Sequence, residues 1–200
     1  SRMDSLDRPP QEGVVLVAPH ALDKLALSDR PATAGQVHAL EAFVARGGSA
    51  VVLEQDRYTQ AIPASLVDRG CTIAFRRSQD DALMAGLGDS DFRFWRGDHV
   101  VARKTIRKPA AGRFRALVDS GGPGGLVYVP LLEMVSGRGR YLLCQLAVGE
   151  KLGSEPVAQR VLENLLATAA EPVAAPARLG VVQDRLPLGS SLTEIGAVWT

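Results

Sequence analysis

Two glutamates come shortly after segments that are typical of buried β-strands. Glu54 directly follows the apolar run Ala50–Leu53, and Glu150 comes soon after the run Tyr141–Leu146. Because α/β sheets bind ligands at the carboxyl ends of their parallel strands, we expect Glu54, Gln55 and Glu150 to lie at one crevice. A carboxylate there could hold a sugar hydroxyl or a cation, and a suitably spaced pair could cleave a glycosidic bond. The alternatives are a solvated carboxylate and a carboxylate paired with arginine.

The segment Asp91–His99, DFRFWRGDH, combines aromatic and charged residues more densely than any other stretch. Its aromatic rings could stack on sugars or form a contact with another protein. Trp95, Asp98 and His99 are therefore candidates for the crevice. An alternative interpretation places Phe92 and Trp95 in the core, with a surface set of ion pairs formed by Arg93, Arg96 and Asp98.

Metal and cofactor chemistry finds little support in the sequence. His20, His38 and His99 are scattered along the chain, and no cysteines and histidines have the spacing of zinc ligands. Cys71 and Cys144 fall in apparent strands, where buried and reduced thiols are expected. The sequence therefore predicts no metal and no cofactor.

The charge balance argues against nucleic-acid and membrane-surface partners. The 23 Lys and Arg residues nearly match the 22 Asp and Glu residues, for a formal net charge of +1. The basic residues between Arg103 and Arg115 are interpreted as a solvated face, with an anionic partner as the alternative. Gly121–Gly125 lacks the pattern of a phosphate-binding loop and predicts a tight turn. A bacterial-type soluble protein is expected, and its compartment stays open.

The elements that would position the glutamates alternate between strands and helices. Gly13–Pro19 is a continuous apolar run, as in a parallel strand buried on both faces. The helical segment Ala34–Arg46 and the strand Ala50–Leu53 complete a βαβ unit. At the other end, strand Tyr141–Leu146 precedes a helix over Glu155–Ala169, which Ser154 would cap.

Between these units the pattern changes. A weak helix is predicted over Thr59–Asp68, followed by a strand over Thr72–Phe75 and a short helix or turn over Ala82–Gly88. Short β-like runs separated by glycine, proline and charge predict antiparallel strands. Those runs are Val100–Ala102, Arg113–Val118 and Leu126–Val129.

Three segments carry a family resemblance: Phe43–Leu53 (FVARGGSAVVL), Pro130–Glu133 (PLLE) and Gly137–Ala169. Together they resemble class I glutamine amidotransferase-like domains, in the form found as accessory modules of glycoside hydrolases and similar to the trimerisation-type domain of β-galactosidases. The likeness covers residues 12–170. It implies an α/β fold: a flavodoxin-like three-layer sandwich with a mostly parallel central sheet and a small antiparallel extension around residues 98–130.

The chain departs from this family at the positions that carry its chemistry. Active members place a cysteine on a Gly-x-Cys-x-Gly elbow after a strand, and a histidine base in a Gln-aromatic-His-Pro-Glu motif. Here the elbow reads Glu54-Gln55-Asp56-Arg57, and Ala147 stands where the base would be. Glutamine hydrolysis is therefore not expected.

The resemblance implies a non-catalytic module of a larger carbohydrate-active enzyme, acting in interdomain or subunit packing. Its partners would be other domains of the parent enzyme and further copies in a homo-oligomer. One alternative is a carbohydrate-binding module that uses the crevice at the strand ends. Another is a divergent hydrolase that uses Glu54, Glu150 or His99.

The last part of the chain is predicted to form a linker over residues 171–177 and a strand-helix segment over residues 178–200. This segment resembles the first strand and helix of a flavodoxin-like domain. That unit is missing at the start of the chain, which would leave a gap near the centre of the sheet. The segment either completes the same sheet, in cis or by swapping, which we favour, or begins a truncated second domain.

Overall fold

A computed structural model describes residues 9–22, 34–60, 62–79, 81–174, 178–179, 193 and 198–199. Within these residues, three helices whose bounds are described and one short 3₁₀ turn at Ala82–Met84 accompany one large sheet. The helices are α1 (Ala34–Ala45), α2 (Val148–Lys151) and α3 (Pro156–Ala170). The strands of the large sheet are β1 (Val14–Val17), β2 (Ser49–Val52), β3 (Ser65–Val67), β4 (Phe75–Arg76), β5 (Thr105–Arg107), β6 (Phe114–Ser120), β7 (Tyr128–Ser136) and β8 (Gly139–Cys144).

The sheet is mixed, with the order β1-β2-β8-β7-β5-β3, and β6 joins β4 to β7. Among the described strands of this sheet, parallel pairing is limited to β1 with β2 and β2 with β8. All other strand pairs of this sheet are antiparallel. The prediction of a mostly parallel sheet is therefore wrong. Ser136 pairs with Gly139, so a two-residue turn with Gly137 at φ 59° joins β7 to β8, and such a turn connects only antiparallel strands.

The parallel strands are covered on both faces, which confirms the α/β class. Alternate side chains of a strand point to opposite faces, so the three strands contribute to two cores. On one face Val52, Tyr141 and Leu143 pack with Leu40 and Phe43 of α1. On the other face the strands pack with α3, in a cluster that contains Val51, Leu142, Cys144, Val161 and Leu165.

Several local predictions are corrected. The weak helix over Thr59–Asp68 is wrong, because Pro63 lies in its path and the segment ends in strand β3. The cap of α3 is Glu155 rather than Ser154, since the Glu155 carboxylate accepts the Val157 amide at 3.2 Å. On α3, Leu166 follows the buried Leu165 and is 38% exposed.

The expected gap near the centre of the sheet is also wrong, because β1 pairs directly with β2 over four residues. The outer edge of β1 is instead one of the edges without a partner among the described strands, as are those of β3 and β4. Further along the chain, Arg178–Leu179 pairs in parallel with Val198–Trp199 as a separate two-stranded sheet. Most of residues 171–200 beyond Ala174 lie outside the described residues, so both alternatives for this segment stay predictions.

Within the described part of the chain, no helix combines the length and the apolar character needed to cross a membrane.

Candidate functional site

The loops that follow the three parallel strands meet at one end of the sheet. After β1, the His20 amide donates to the Glu54 carbonyl at 2.9 Å. After β8, the Glu150 amide donates to the Glu54 carboxylate at 2.9 Å. This places Glu54, Gln55 and Glu150 together, as the sequence predicts. We call His20, Glu54, Gln55, Asp98 and Glu150 the strand-end site.

Glu54 is the most buried carboxylate of the strand-end site, at 8% exposure. Its Oε1 accepts the Glu150 amide, while its Oε2 is buried without a hydrogen-bond partner among the described residues. Removal from water raises the pKa of the Glu54 carboxyl above its ordinary value, and this outweighs the backbone amides and His20, which act in the opposite direction. Glu54 is thus a buried acid that holds the start of α2.

The side chain of Gln55 has a structural role and is not free to bind a ligand. Its Oε1 accepts the Leu22 amide at 2.9 Å, and its Nε2 donates to the carbonyls of Ala18 and Leu53 at 2.7 and 2.9 Å. The side-chain amide therefore ties the loop after β1 to the end of β2. Because each polar atom of a buried carboxamide needs a partner, this bonding commits Gln55 to the fold.

Gln145 also joins the ends of two strands. With its carbonyl oxygen facing Tyr58, it accepts the Tyr58 hydroxyl at 3.0 Å and the Gln55 amide at 3.2 Å, and its Nε2 donates to the Gln55 carbonyl at 3.2 Å. Burial raises the pKa of the Tyr58 hydroxyl, so it stays a neutral donor here. Gln145 is therefore part of the interior packing.

Glu150 and Asp98 are bound by cations on neighbouring segments. Arg103 donates to both oxygens of Glu150, at 2.7 and 2.5 Å, and to Asp98 at 2.8 Å. Lys151, only 4% exposed, donates to Asp98 at 2.6 Å. Arg103 lowers the pKa of the Glu150 carboxyl, and Lys151 lowers that of Asp98, so both acids stay ionised. We call Asp98, Arg103, Glu150 and Lys151 the ion-pair cluster.

Trp95 does not line the strand-end site, so the prediction that it does is wrong. The site therefore lacks this aromatic ring as a surface on which a sugar could stack. Its side chain is 1% exposed in the core beneath α3, and its Nε1 donates to the Asp91 carbonyl at 2.7 Å. Phe92 is likewise buried, so the alternative interpretation of both residues holds. His99 is exposed and contacts the Phe94 ring rather than Glu54.

Most of the predicted solvated basic face is engaged in ion pairs. Besides Arg103, Lys104 lies 3.9 Å from the Asp56 carboxylate, Lys108 contacts Asp119 at 2.8 Å, and Arg115 contacts both Glu133 and Asp81. These ion pairs could not be predicted from the sequence, because their acids come from segments distant from the basic run. The acids near to this run in sequence are few.

The cysteines are free thiols, as predicted, although Cys71 is only partly buried. Burial raises the pKa of Cys71 to about 11, so its thiol is protonated and unreactive at neutral pH. Cys144 is fully buried, and the same effect raises its pKa.

His20 is the site residue that sequence reasoning missed. Its Nδ1 lies 3.0 Å from the Asp56 carboxylate, beside Glu54. The signal was available, because His20 follows the end of β1 just as Glu54 follows β2, and the carboxyl ends of neighbouring parallel strands share one edge. Across the described ranges, no group of three His, Cys, Asp or Glu residues could hold a metal ion.

Comparisons with known proteins add only a weak likeness of shape. No protein family matches the sequence, and no curated protein matches it. Two solved structures from Salmonella typhimurium, the cytoplasmic proteins STM3548 and STM1381, each align at 13% identity with a TM-score of 0.49. The first alignment covers 78% of this chain and 70% of that protein, and the second 82% and 77%. The described strands and helices therefore form a mixed α/β domain.

Glu54 gives the strand-end site a characteristic pH dependence. Its pKa is higher in the folded domain than the ordinary 4.5, so the folded state holds this proton more tightly than the unfolded chain. The contribution of Glu54 to stability is therefore greatest below pH 4.5 and falls as the pH rises towards the folded pKa. We expect the stability of Glu54→Gln to lack this decrease with rising pH.

Urea unfolding of the wild type and the variant at a series of pH values measures the difference. Asp98 and Glu150, whose lowered pKa values give the opposite dependence, are present in both proteins and cancel. Glu163→Gln, at an exposed position of α3, is the matched control. Parallel stability curves for the wild type and Glu54→Gln would refute the buried-acid description of Glu54.

Proposed function

We propose that this chain is a non-catalytic, amidotransferase-like module of a larger carbohydrate-active enzyme, which acts in interdomain or subunit packing. The observation that carries the proposal is that cations of the chain itself bind the acids of the strand-end site. Arg103 occupies both oxygens of Glu150, and Lys151 and Arg103 occupy Asp98. Acids held ionised by two cations are poor proton donors and poor free bases at neutral pH.

The missing family chemistry supports the same proposal. A glutamine amidotransferase needs a nucleophile, a base and a group that orients the base. Glu54 stands where the nucleophile would be and accepts the Glu150 amide instead, while the base position is the buried Ala147. We further propose that α1, the sheet and α3 form a flavodoxin-like three-layer sandwich, in keeping with their cores on opposite faces.

For residues 178–200 we propose a strand-helix unit that is separate from the large sheet. The parallel pairing of Arg178–Leu179 with Val198–Trp199, with the helical residue Thr193 between them, supports a separate βαβ unit.

The outer edge of β1 is the surface that we propose for subunit packing. β1 pairs only with β2 among the described strands, and Leu16 on it is 46% exposed. Leu16 alternates with the buried Val15 and Val17, so it lies on the α3 side of the sheet, where Leu166 is also exposed. An unpaired strand edge with apolar side chains favours association with a second copy.

The test is the oligomeric state of Leu16→Lys. We expect the wild type to form oligomers and the variant to dissociate at least about tenfold more readily, because a desolvated lysine opposes packing of the edge. Light scattering coupled to size exclusion gives the mass of each. Leu126→Lys, which changes a leucine of similar exposure in the loop between β6 and β7, is the control and should keep the wild-type mass. Equal masses for all three proteins, or a monomeric wild type, would contradict packing through β1.

Carbohydrate binding remains the second candidate because of one observation, the unpartnered Oε2 of Glu54 at the strand ends. A hydroxyl that reached this oxygen would satisfy it. Calorimetry with galactosides, glucosides and oligosaccharides separates the two: heat that Glu54→Gln abolishes supports sugar binding, whereas no heat supports packing alone. Hydrolysis of a galactoside that depends on Glu54 or Glu150 would instead support the divergent hydrolase.

A further inference from the structure

The guanidinium of Arg69, in the loop after β3, is held in a defined place without an acidic partner. It lies over the Tyr128 ring, with Cζ 5.2 Å from the ring centroid, in a cation–π contact. It also packs on the backbone of Gly122, where an added Cβ would lie 2.6 Å from Nη2 and 2.8 Å from Cζ. Within the described part of the chain, its N–H donors have no acceptor. Arg69 is therefore positioned by a ring and a glycine, with its donors unused.

A second arginine lies beside the same ring. Arg107 on β5 is the direct partner of Tyr128 on β7, and directly opposed side chains share one face of a sheet, with Cβ atoms about 5 Å apart. Arg107 is exposed, as is Ser65, its partner on β3, so this face is open to solvent. Neither the Arg107 guanidinium nor the Tyr128 hydroxyl has a hydrogen-bond partner in the described ranges. We call Arg69, Arg107, Gly122 and Tyr128 the arginine site.

The charge at the arginine site stays positive when the acids of the surrounding segments are counted. Residues 65–71, 105–109 and 117–128 contain two acids, Asp68 and Asp119. Asp119 is shared by two cations, since Lys108 Nζ lies at 2.8 Å and Arg77 Nε at 3.2 Å. This group therefore keeps one positive charge of its own. The exposed Asp68 offsets only one of the two arginines, so an anionic ligand is favoured here.

The donors fit a tetrahedral oxyanion better than a carboxylate. A guanidinium binds two oxygens at once through its planar fork. One arginine can occupy both oxygens of a carboxylate, whereas a phosphate or sulfate group has further oxygens for the second guanidinium and for the phenol. Because Arg69 is already positioned, less entropy is lost when a ligand binds.

We propose that the arginine site binds a phosphate or sulfate group, either as the free anion or as an ester of a larger ligand. Arg69 and Arg107 bind its oxygens, and the Tyr128 hydroxyl donates to a further oxygen. The site does not depend on the proposed subunit packing, because β3 and β5 lie at the other end of the strand order from β1. The two proposals can therefore fail separately.

Titration of the nitrogen-15-labelled wild-type chain with inorganic phosphate, followed by NMR at constant ionic strength, tests the site. We expect saturable shifts of the Arg69 and Arg107 Nε–H resonances and of the Gly122 amide. Arg69→Gln should bind phosphate about tenfold or more weakly, because charge-assisted hydrogen bonds are lost. Arg138→Gln removes an exposed arginine beyond the other end of β7 and should bind as the wild type does.

The position of Arg69 is tested separately from its charge. Gly122→Ala should displace the guanidinium and weaken phosphate binding, although every charge is kept. Gly121→Ala is the matched control, because no atom lies within 4 Å of its added Cβ. Neither glycine has a positive φ, so alanine fits the backbone at both positions. Equal phosphate binding by these two variants would contradict the described position of Arg69.

Parallel titrations with inorganic sulfate, a hexose phosphate, a hexose sulfate and acetate identify the ligand class. Tighter binding of a hexose ester than of the free anion would support an ester ligand, and the reverse would support a free anion. An amide spectrum of Arg69→Gln that matches the wild type away from the site excludes misfolding as the cause of lost binding. The proposal would be overturned by any of three results: no saturable shift with phosphate or sulfate, equal binding by Arg69→Gln, or acetate binding as tight as phosphate.

Discussion

Replacing Gly149 with alanine is expected to destabilise the folded domain by about 1–3 kcal/mol, the range for an overpacked interior. A Cβ at this position would lie 2.1 Å from the Pro19 ring and 2.9 Å from Oε1 of Glu54. Glycine thus lets the loop after β8 approach the loop after β1 closely enough for the Glu150 amide to reach Glu54. The alanine methyl group must push the two loops apart.

Chemical unfolding of Gly149→Ala against Gly153→Ala measures this effect. Gly153 has no atom within 4 Å of the position of an added Cβ, so its alanine variant should be close to the wild type in stability. Displacement of the loop also disturbs the ion-pair cluster, because Glu150 and Lys151 follow directly. Equal stability of the two variants would show that the strand-end loops do not pack as described.

Replacing Trp95 with alanine is expected to cost about 3–5 kcal/mol, the typical loss for a large aromatic residue removed from a core. Trp95 is fully enclosed with Leu83, Val161 and Leu165 of the core beneath α3, and its indole nitrogen is bonded to the Asp91 carbonyl. An alanine leaves a cavity there and an unpaired backbone carbonyl.

The neighbouring Phe94→Ala is the matched control, since Phe94 is mostly exposed and its loss removes little buried surface. Urea unfolding of Trp95→Ala and Phe94→Ala compares the stability that is lost at the buried position with the stability lost at the exposed one. A loss below about 1 kcal/mol for Trp95→Ala would mean that the ring is not in the core. Trp95 would then again be a candidate for stacking on a sugar ring.

The parallel half of the fold could be predicted because its signals are local. The runs that form β1, β2 and β8 are continuous and apolar, and the helical segments beside them carry periodic apolar residues. The antiparallel half could not be placed. β5 was missed because a charged run surrounds it, and the pairing of β6 with β7 depends on contacts between segments that the sequence does not link.

The candidate site was predicted in position but not in chemistry. The rule that ligands bind at the ends of parallel strands brought Glu54, Gln55 and Glu150 together correctly. It could not show that Arg103 would cover Glu150, or that Gln55 would bond to the loop after β1, because these partners come from other segments. Trp95 was misplaced as a crevice residue because an aromatic residue among charges is equally compatible with a core and a surface.

The mass of the wild-type chain in solution tests the proposed packing function most directly. Sedimentation velocity over a range of protein concentrations measures this mass without reference to any ligand. Packing through the outer edge of β1 predicts a multiple of the 21.2 kDa chain that grows in population with concentration and is lost in Leu16→Lys. A wild-type mass of 21.2 kDa at every concentration would contradict it.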